Sequence, residues 1–189
     1  MPAYPDGADL LQNGQSVCVP IPAERSDDRA DPTLQHLINL TREGTVVAAF
    51  QAVHHKFHRF HEDCLRLAAR ATTDDEALDE LLQTLDAYTV LFNEHHHAED
   101  HYFFAALRQA EPALNTVVDQ LVGQHEQLAA RLRVVVEQAH RLRSGETSVD
   151  GLERLVEVLA DLQVAVDEHL LFEETETVPV LSTWTDWPV

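Results

Sequence analysis

Apolar residues recur at steps of three and four along four long stretches of this chain, with polar residues between them. That spacing gathers side chains on one face of a 3.6-residue helix, so it predicts four amphipathic helices. The first spans about 44–71, with a face of Val47, Phe50, His54, Phe57, His61, Leu65 and Ala68. Thr73 or Asp74 caps the second, about 75–109, whose face reads Leu81, Leu85, Tyr88, Phe92, His95, Glu99, Tyr102 and Ala106. Pro112 suits the first turn of the third, about 111–143, which reads Leu114, Val118, Leu121, His125, Leu128, Leu132 and Val135. After the break "SGETS" at 144–148, the fourth covers about 149–179 and reads Leu152, Leu155, Leu159, Leu162, Val166, His169 and Glu173. Short connections make neighbours antiparallel. The expected fold class is all-α, an antiparallel up-down four-helix bundle.

Residues 1–32 break the pattern. They hold five of the eight prolines and no periodicity, which predicts an irregular N-terminal arm. A short helix from Thr33 to Leu40 leads into the bundle domain, taken as 33–189 with a short C-terminal tail. Trp184 and Trp187 are expected to pack that tail over the bundle.

Composition narrows the function. A chain of 189 residues suffices for one domain with a sizeable core. The net charge is −20, and Lys56 is the single lysine. Such a surface repels phosphate backbones and anionic bilayers, so neither nucleic acid nor membrane is an expected partner. No apolar run approaches the length of a membrane span, and residues 1–15 lack the basic and apolar regions of an export signal. Two cysteines, Cys18 and Cys64, make no disulfide framework; Cys64 reads as a small core residue, and a reducing cytoplasm is the expected compartment. Twelve histidines are the outlying count.

Several of those histidines sit on the apolar faces. His95 and Glu99 are four residues apart, on one side of a helix, and His169 and Glu173 repeat the arrangement. His54 and His125 sit singly on the first and third faces. Packing the two helix pairs together would converge four imidazoles and two carboxylates near the bundle axis. Burying six such groups without partners is costly. A hydrogen-bonded polar layer is one solution and a pair of divalent cations is another. Mixed imidazole and carboxylate donors without thiolates suit iron, manganese or zinc. The ferritin-like pattern of Glu-x-x-His on two helices is not met, and no metalloprotease H-E-x-x-H, phosphate loop or G-x-S-x-G elbow occurs.

The blocks "HHHAEDHYFFAAL" and "VDEHLLFEETETVPVL", with "VHHKFHRF" and "VGQHEQL", resemble the hemerythrin-like, or HHE cation-binding, family over about 45–181. The resemblance implies a non-haem di-iron centre, two Fe ions with oxo or carboxylate bridging, held by His54, His95, Glu99, His125, His169 and Glu173. Oxygen-carrying members have a second histidine four residues away on the third helix, where this chain has Leu121 and Ala129. The four-His, two-Glu set is instead similar to bacterial members linked to nitric oxide, peroxide and iron–sulfur repair. Some members recruit a tyrosine to the metal, and Tyr88 and Tyr102 lie on the relevant stripe. The implied activity is binding or activation of O2, peroxide or nitric oxide, with an unidentified electron donor. An iron-handling or redox-sensing module and an oxygenase acting on an organic substrate are the alternatives, and a metal-free structural bundle is a third.

Secondary assignments complete the expectation. His58, one turn after His54, could supplement it, and His61 could support the ligands. His55, His96, His97 and His101 are read as facing solvent or the helix flank. Asp100 and Glu174 are read as surface charge, with orientation of the imidazoles as the alternative. Phe50, Phe57, Phe92, Phe103 and Phe172 are expected to keep water from the centre.

Overall fold

A computed structural model describes residues 45–71, 74–145 and 149–187; the arm at 1–32 and the helix expected from Thr33 to Leu40 lie outside these described residues. The elements are α1 (Val46–Arg70), α2 (Asp75–Ala98), a π-helical turn (Glu99–Phe103), α3 (Phe104–Ala110), a 3-10 turn (Pro112–Leu114), α4 (Asn115–Arg143) and α5 (Val149–Leu181). No strand occurs among the described residues. The second predicted helix is thus one rod, α2 through α3, interrupted by a wider turn. The fourth runs past Pro179 to Leu181, where the missing amide removes only one bond near the helix end.

Local chemistry sets the ends. Thr45 Oγ1 accepts from the Ala48 amide at 3.1 Å and starts α1. Asp74 accepts from the Glu76 amide at 3.1 Å to start α2, so of the two predicted caps the aspartate serves. Pro112 opens the 3-10 turn that leads into α4. Gly145, at φ 75, takes the left-handed conformation beyond the end of α4 that a side chain would resist.

The four rods pack in a ring. α1 lies against α2 and α5, α2 against α4, and α4 against α5. Their apolar faces form two separate clusters, each drawing on all four rods. One includes Phe57, Leu81, Phe92, Leu132, Leu159 and Val166. The other includes Phe50, Phe103, Leu107, Val118, Leu121 and Leu181. Burying each such side chain contributes about 1.5–3 kcal/mol before chain entropy is subtracted. Between the clusters, along every rod, sits a polar layer: His54 on α1, His95 and Glu99 on the second rod, His125 on α4, and His169 and Glu173 on α5. α1 and α4 run from the second cluster to the first; the other two rods run the opposite way, giving the predicted up-down order. The tail folds back as expected, with Trp184 and Trp187 ring centroids 6.0 and 5.8 Å from Phe103. No described helix is long and apolar enough to cross a membrane.

Candidate metal centre

The six polar side chains of the middle layer are all buried, none more than 4% exposed. His54 directs Nε2 at Glu173 Oε2, 3.4 Å away, and the Nε2 of His95 lies 3.1 Å from Glu99 Oε1. The other Glu99 oxygen faces His125 Nε2 at 3.5 Å, and Glu173 Oε2 faces His169 Nε2 at 3.9 Å. The Nε2 atoms of His125 and His169 are 3.2 Å apart. Imidazoles from four rods thus converge on two carboxylates.

His125 and His169 satisfy each other, but the approaches between imidazole and carboxylate lack hydrogen-bond geometry. His54 Nε2, His95 Nε2, both oxygens of Glu99 and both of Glu173 are buried without a hydrogen-bond partner. Six orphaned polar atoms in one layer carry a heavy desolvation cost. The outer nitrogens, in contrast, are well partnered. His54 Nδ1 meets Glu174 Oε1 at 2.7 Å, His125 Nδ1 meets Asp100 Oδ1 at 2.9 Å, and His169 Nδ1 meets Gln124 Oε1 at 2.8 Å. A partner on the outer nitrogen fixes the ring and turns the Nε2 lone pair inward, which is how metal-binding histidines are held.

Burial dominates the proton chemistry. It pushes the Glu99 carboxyl well above its ordinary range, and the Glu173 and Asp100 carboxylates add to the effect. Burial pulls His95 far down, with help from His54, His125 and His169, and brings His169 down to about 4. Burial also acts downward on His54, but the neighbouring Glu173 carboxylate and the bond to Glu174 together outweigh it and leave its pKa raised. The bond from His54 in turn lowers Glu174. Burial therefore favours the neutral form of Glu99, and His95 and His169 stay unprotonated near neutral pH. A divalent cation at the centre reverses the carboxyl preference and uses the neutral imidazoles as they stand.

Ligand-competent atoms fall into two groups, each within 4.8 Å internally: His54, His95, Glu99 and Glu173; and His96, His125 and His169. Glu99 and Glu173 reach toward both. Neither group contains a thiol. The donors fit two borderline transition-metal ions, with imidazole nitrogen and carboxylate oxygen as ligand atoms.

Three expectations need correction. His96, read as facing solvent or the flank, is buried at 7% exposed and stacks on His125, ring centroids 3.8 Å apart. A stripe of four, three and four residues from Phe92 through His96 and Glu99 to Phe103 carried that signal. Tyr102 and Ala106, read as core, are displaced by the π turn. Its bond from the Phe104 amide to the Glu99 carbonyl advances the register by one residue, so Phe103 and Leu107 face in and Tyr102 is 40% exposed. Asp100 and Glu174, read as surface charge, are half-buried partners of His125 and His54. Gln124 carries no signal in the sequence pattern; it precedes His125 on α4 but serves His169 on α5.

The other assignments divide. His58 is exposed and pairs with Asp167 at 3.0 Å, away from the centre. His55, His97 and His101 are exposed as expected. His61 is buried against Tyr88, ring centroids 5.1 Å apart, and does not contact the six. Tyr88 is buried with an unpartnered hydroxyl, its pKa raised by burial. Cys64 is buried, and burial pushes its thiol up to about 12, so it is a core residue, as expected. Cys18 lies outside the described residues. Phe50 and Phe57 line the layer as expected, with centroids 4.3 Å from His54 and 5.0 Å from His95.

A buried, metal-competent layer of histidine and glutamate inside an antiparallel four-helix bundle defines a cation-binding helical protein. The family model described as the hemerythrin HHE cation binding domain matches residues 45–181, most of the chain. The chain belongs to this hemerythrin HHE family. No curated protein and no solved structure matches it.

Proposed function

We propose that this protein holds two iron ions in a non-haem centre and binds or activates O2 or a related small oxidant, peroxide or nitric oxide. His54, His95, Glu99, His125, His169 and Glu173 are the ligands. One observation carries the reading: the Nε2 atoms of His54 and His95 and the carboxylates of Glu99 and Glu173 lie buried without partners, while the outward Nδ1 atoms of His54, His125 and His169 are held by Glu174, Asp100 and Gln124.

When bound, a ferrous pair supplies two electrons and coordination positions left open by the protein donors. The chain's own residues do the rest. Glu99 and Glu173 lie between the two histidine groups and would supply carboxylate donors to the ions. The carboxylates and Gln124 hold the imidazoles in one tautomer. Phe50, Phe57 and Phe104 exclude bulk water, which keeps the local dielectric low. A polar cleft of about 140 Å³ between α4 and α5, lined by Gln124, Arg131 and Glu168 among others, reaches His169 and offers small molecules a way in.

Anaerobic loading with ferrous salt followed by metal analysis is the test. Two irons per chain and an absorption change on exposure to air are expected. Stopped-flow mixing of the reduced protein with O2, peroxide and nitric oxide then separates turnover from a stable adduct, the latter favouring a sensing or iron-handling role. Unchanged metal content after joint Glu99→Ala and Glu173→Ala substitution would refute the proposal.

A further inference from the structure

We infer that His96 is a seventh ligand, completing a three-imidazole set with His125 and His169 on one ion, while His54 and His95 hold the other. The inference rests on the two-metal reading above. Sequence spacing alone yields four histidines, and the six-ligand set divides unevenly: His54, His95, Glu99 and Glu173 form one group, leaving only His125 and His169 elsewhere.

Three observations place His96 in the second group. A ligand-competent nitrogen of His96 lies within 4.8 Å of those of His125 and His169. The side chain is buried, and its Nδ1 has no hydrogen-bond partner. Its packing neighbour Phe92, at a centroid distance of 3.9 Å, cannot provide one. An imidazole always presents two nitrogens to be satisfied, so an orphan here calls for a cation or a donor. Helix geometry explains why adjacent residues serve different ions. His95 and His96 project about 100° apart from α2, so they flank the axis of the polar layer rather than overlap.

The geometry also dictates a movement. His96 and His125 now lie face to face, 8° from parallel. Stacked rings cannot both aim in-plane lone pairs at one ion. Asp100 holds His125 through Nδ1, whereas nothing holds His96 Nδ1. Metal entry therefore turns His96 out of the stack.

Co(II) loaded anaerobically into the full chain, read by paramagnetic proton NMR, tests this without relying on activity. Each ligating imidazole that keeps its other N–H contributes one strongly shifted exchangeable resonance. Five are expected in the wild-type protein, falling to four in His96→Ala, with Co(II) affinity at one of the two positions weakened at least tenfold. Two ions but only four shifted resonances in the wild-type protein would overturn the seventh ligand while leaving the two-metal reading intact. A folded His96→Ala variant that binds both ions with unchanged affinity would do the same. Failure of the wild-type chain to bind two ions would remove both. The wild-type resonance count decides the matter even if the variant does not fold.

Discussion

Glu174→Ala probes the outward anchoring of the centre without touching a proposed ligand. Glu174 Oε1 is 2.7 Å from His54 Nδ1, and Gln51 Nε2 donates to the other oxygen at 3.2 Å. A hydrogen bond with a charged partner contributes about 1.5–3 kcal/mol net. Glu174 is 31% exposed, so solvent screening favours the lower end, roughly 1.5 kcal/mol. The Ala variant frees the His54 ring to rotate and lowers its basicity, and metal affinity at that position should fall about tenfold. Glu174→Gln keeps an acceptor but not the charge, so about a threefold loss is expected. Competition against a chromophoric chelator under anaerobic conditions gives both values, with thermal melting to show that each variant is folded. An Ala variant that melts normally and binds both ions as tightly as the wild type would refute the argument, as would a Gln variant weaker than the Ala one. His58→Ala, which breaks only the exposed pair with Asp167, is the control and should leave affinity within twofold.

Metal affinity should rise with pH. Burial favours the proton on Glu99 and the carboxylates near His54 make it more basic, so binding competes with protons at both, whereas His95 and His169 are already neutral; chelator competition at about pH 6 and pH 8 reads the slope. Glu99→Leu should abolish binding of both ions yet make the metal-free protein more stable by about 1–3 kcal/mol, because it removes two unpartnered buried oxygens; denaturant melts of chelated wild type and variant measure it. Chelation of the loaded protein should lower the melting temperature without unfolding it at 25 °C. At free metal one hundred times Kd, the loss is about 2.7 kcal/mol, and calorimetry provides the comparison.

The four rods and their antiparallel order were legible because each apolar stripe keeps a step of three or four for several turns. The six central residues were legible for the same reason: polar side chains at seam positions stand out against leucine and phenylalanine. What failed lay where periodicity alone does not decide. The π turn at Glu99–Phe103 adds a residue to one turn, and a constant step, which cannot anticipate it, puts Tyr102 inside. His96 stands between two adjacent histidines, and the stripe through His95 hid the parallel stripe through Phe92 and Phe103. Asp100, Gln124 and Glu174 look like ordinary surface residues on their own helices. Their role depends on which imidazole a neighbouring rod brings close, and that is a property of packing between rods.

The polar layer is bounded on both sides by apolar clusters that each tie all four rods together. Such a sandwich uncouples possession of the ions from survival of the scaffold. In the proposed loaded protein, metal would leave and return through the middle while either end keeps the frame in register. Repeated emptying and refilling would then require only side-chain rearrangement, and a damaged centre could be rebuilt without making a new polypeptide.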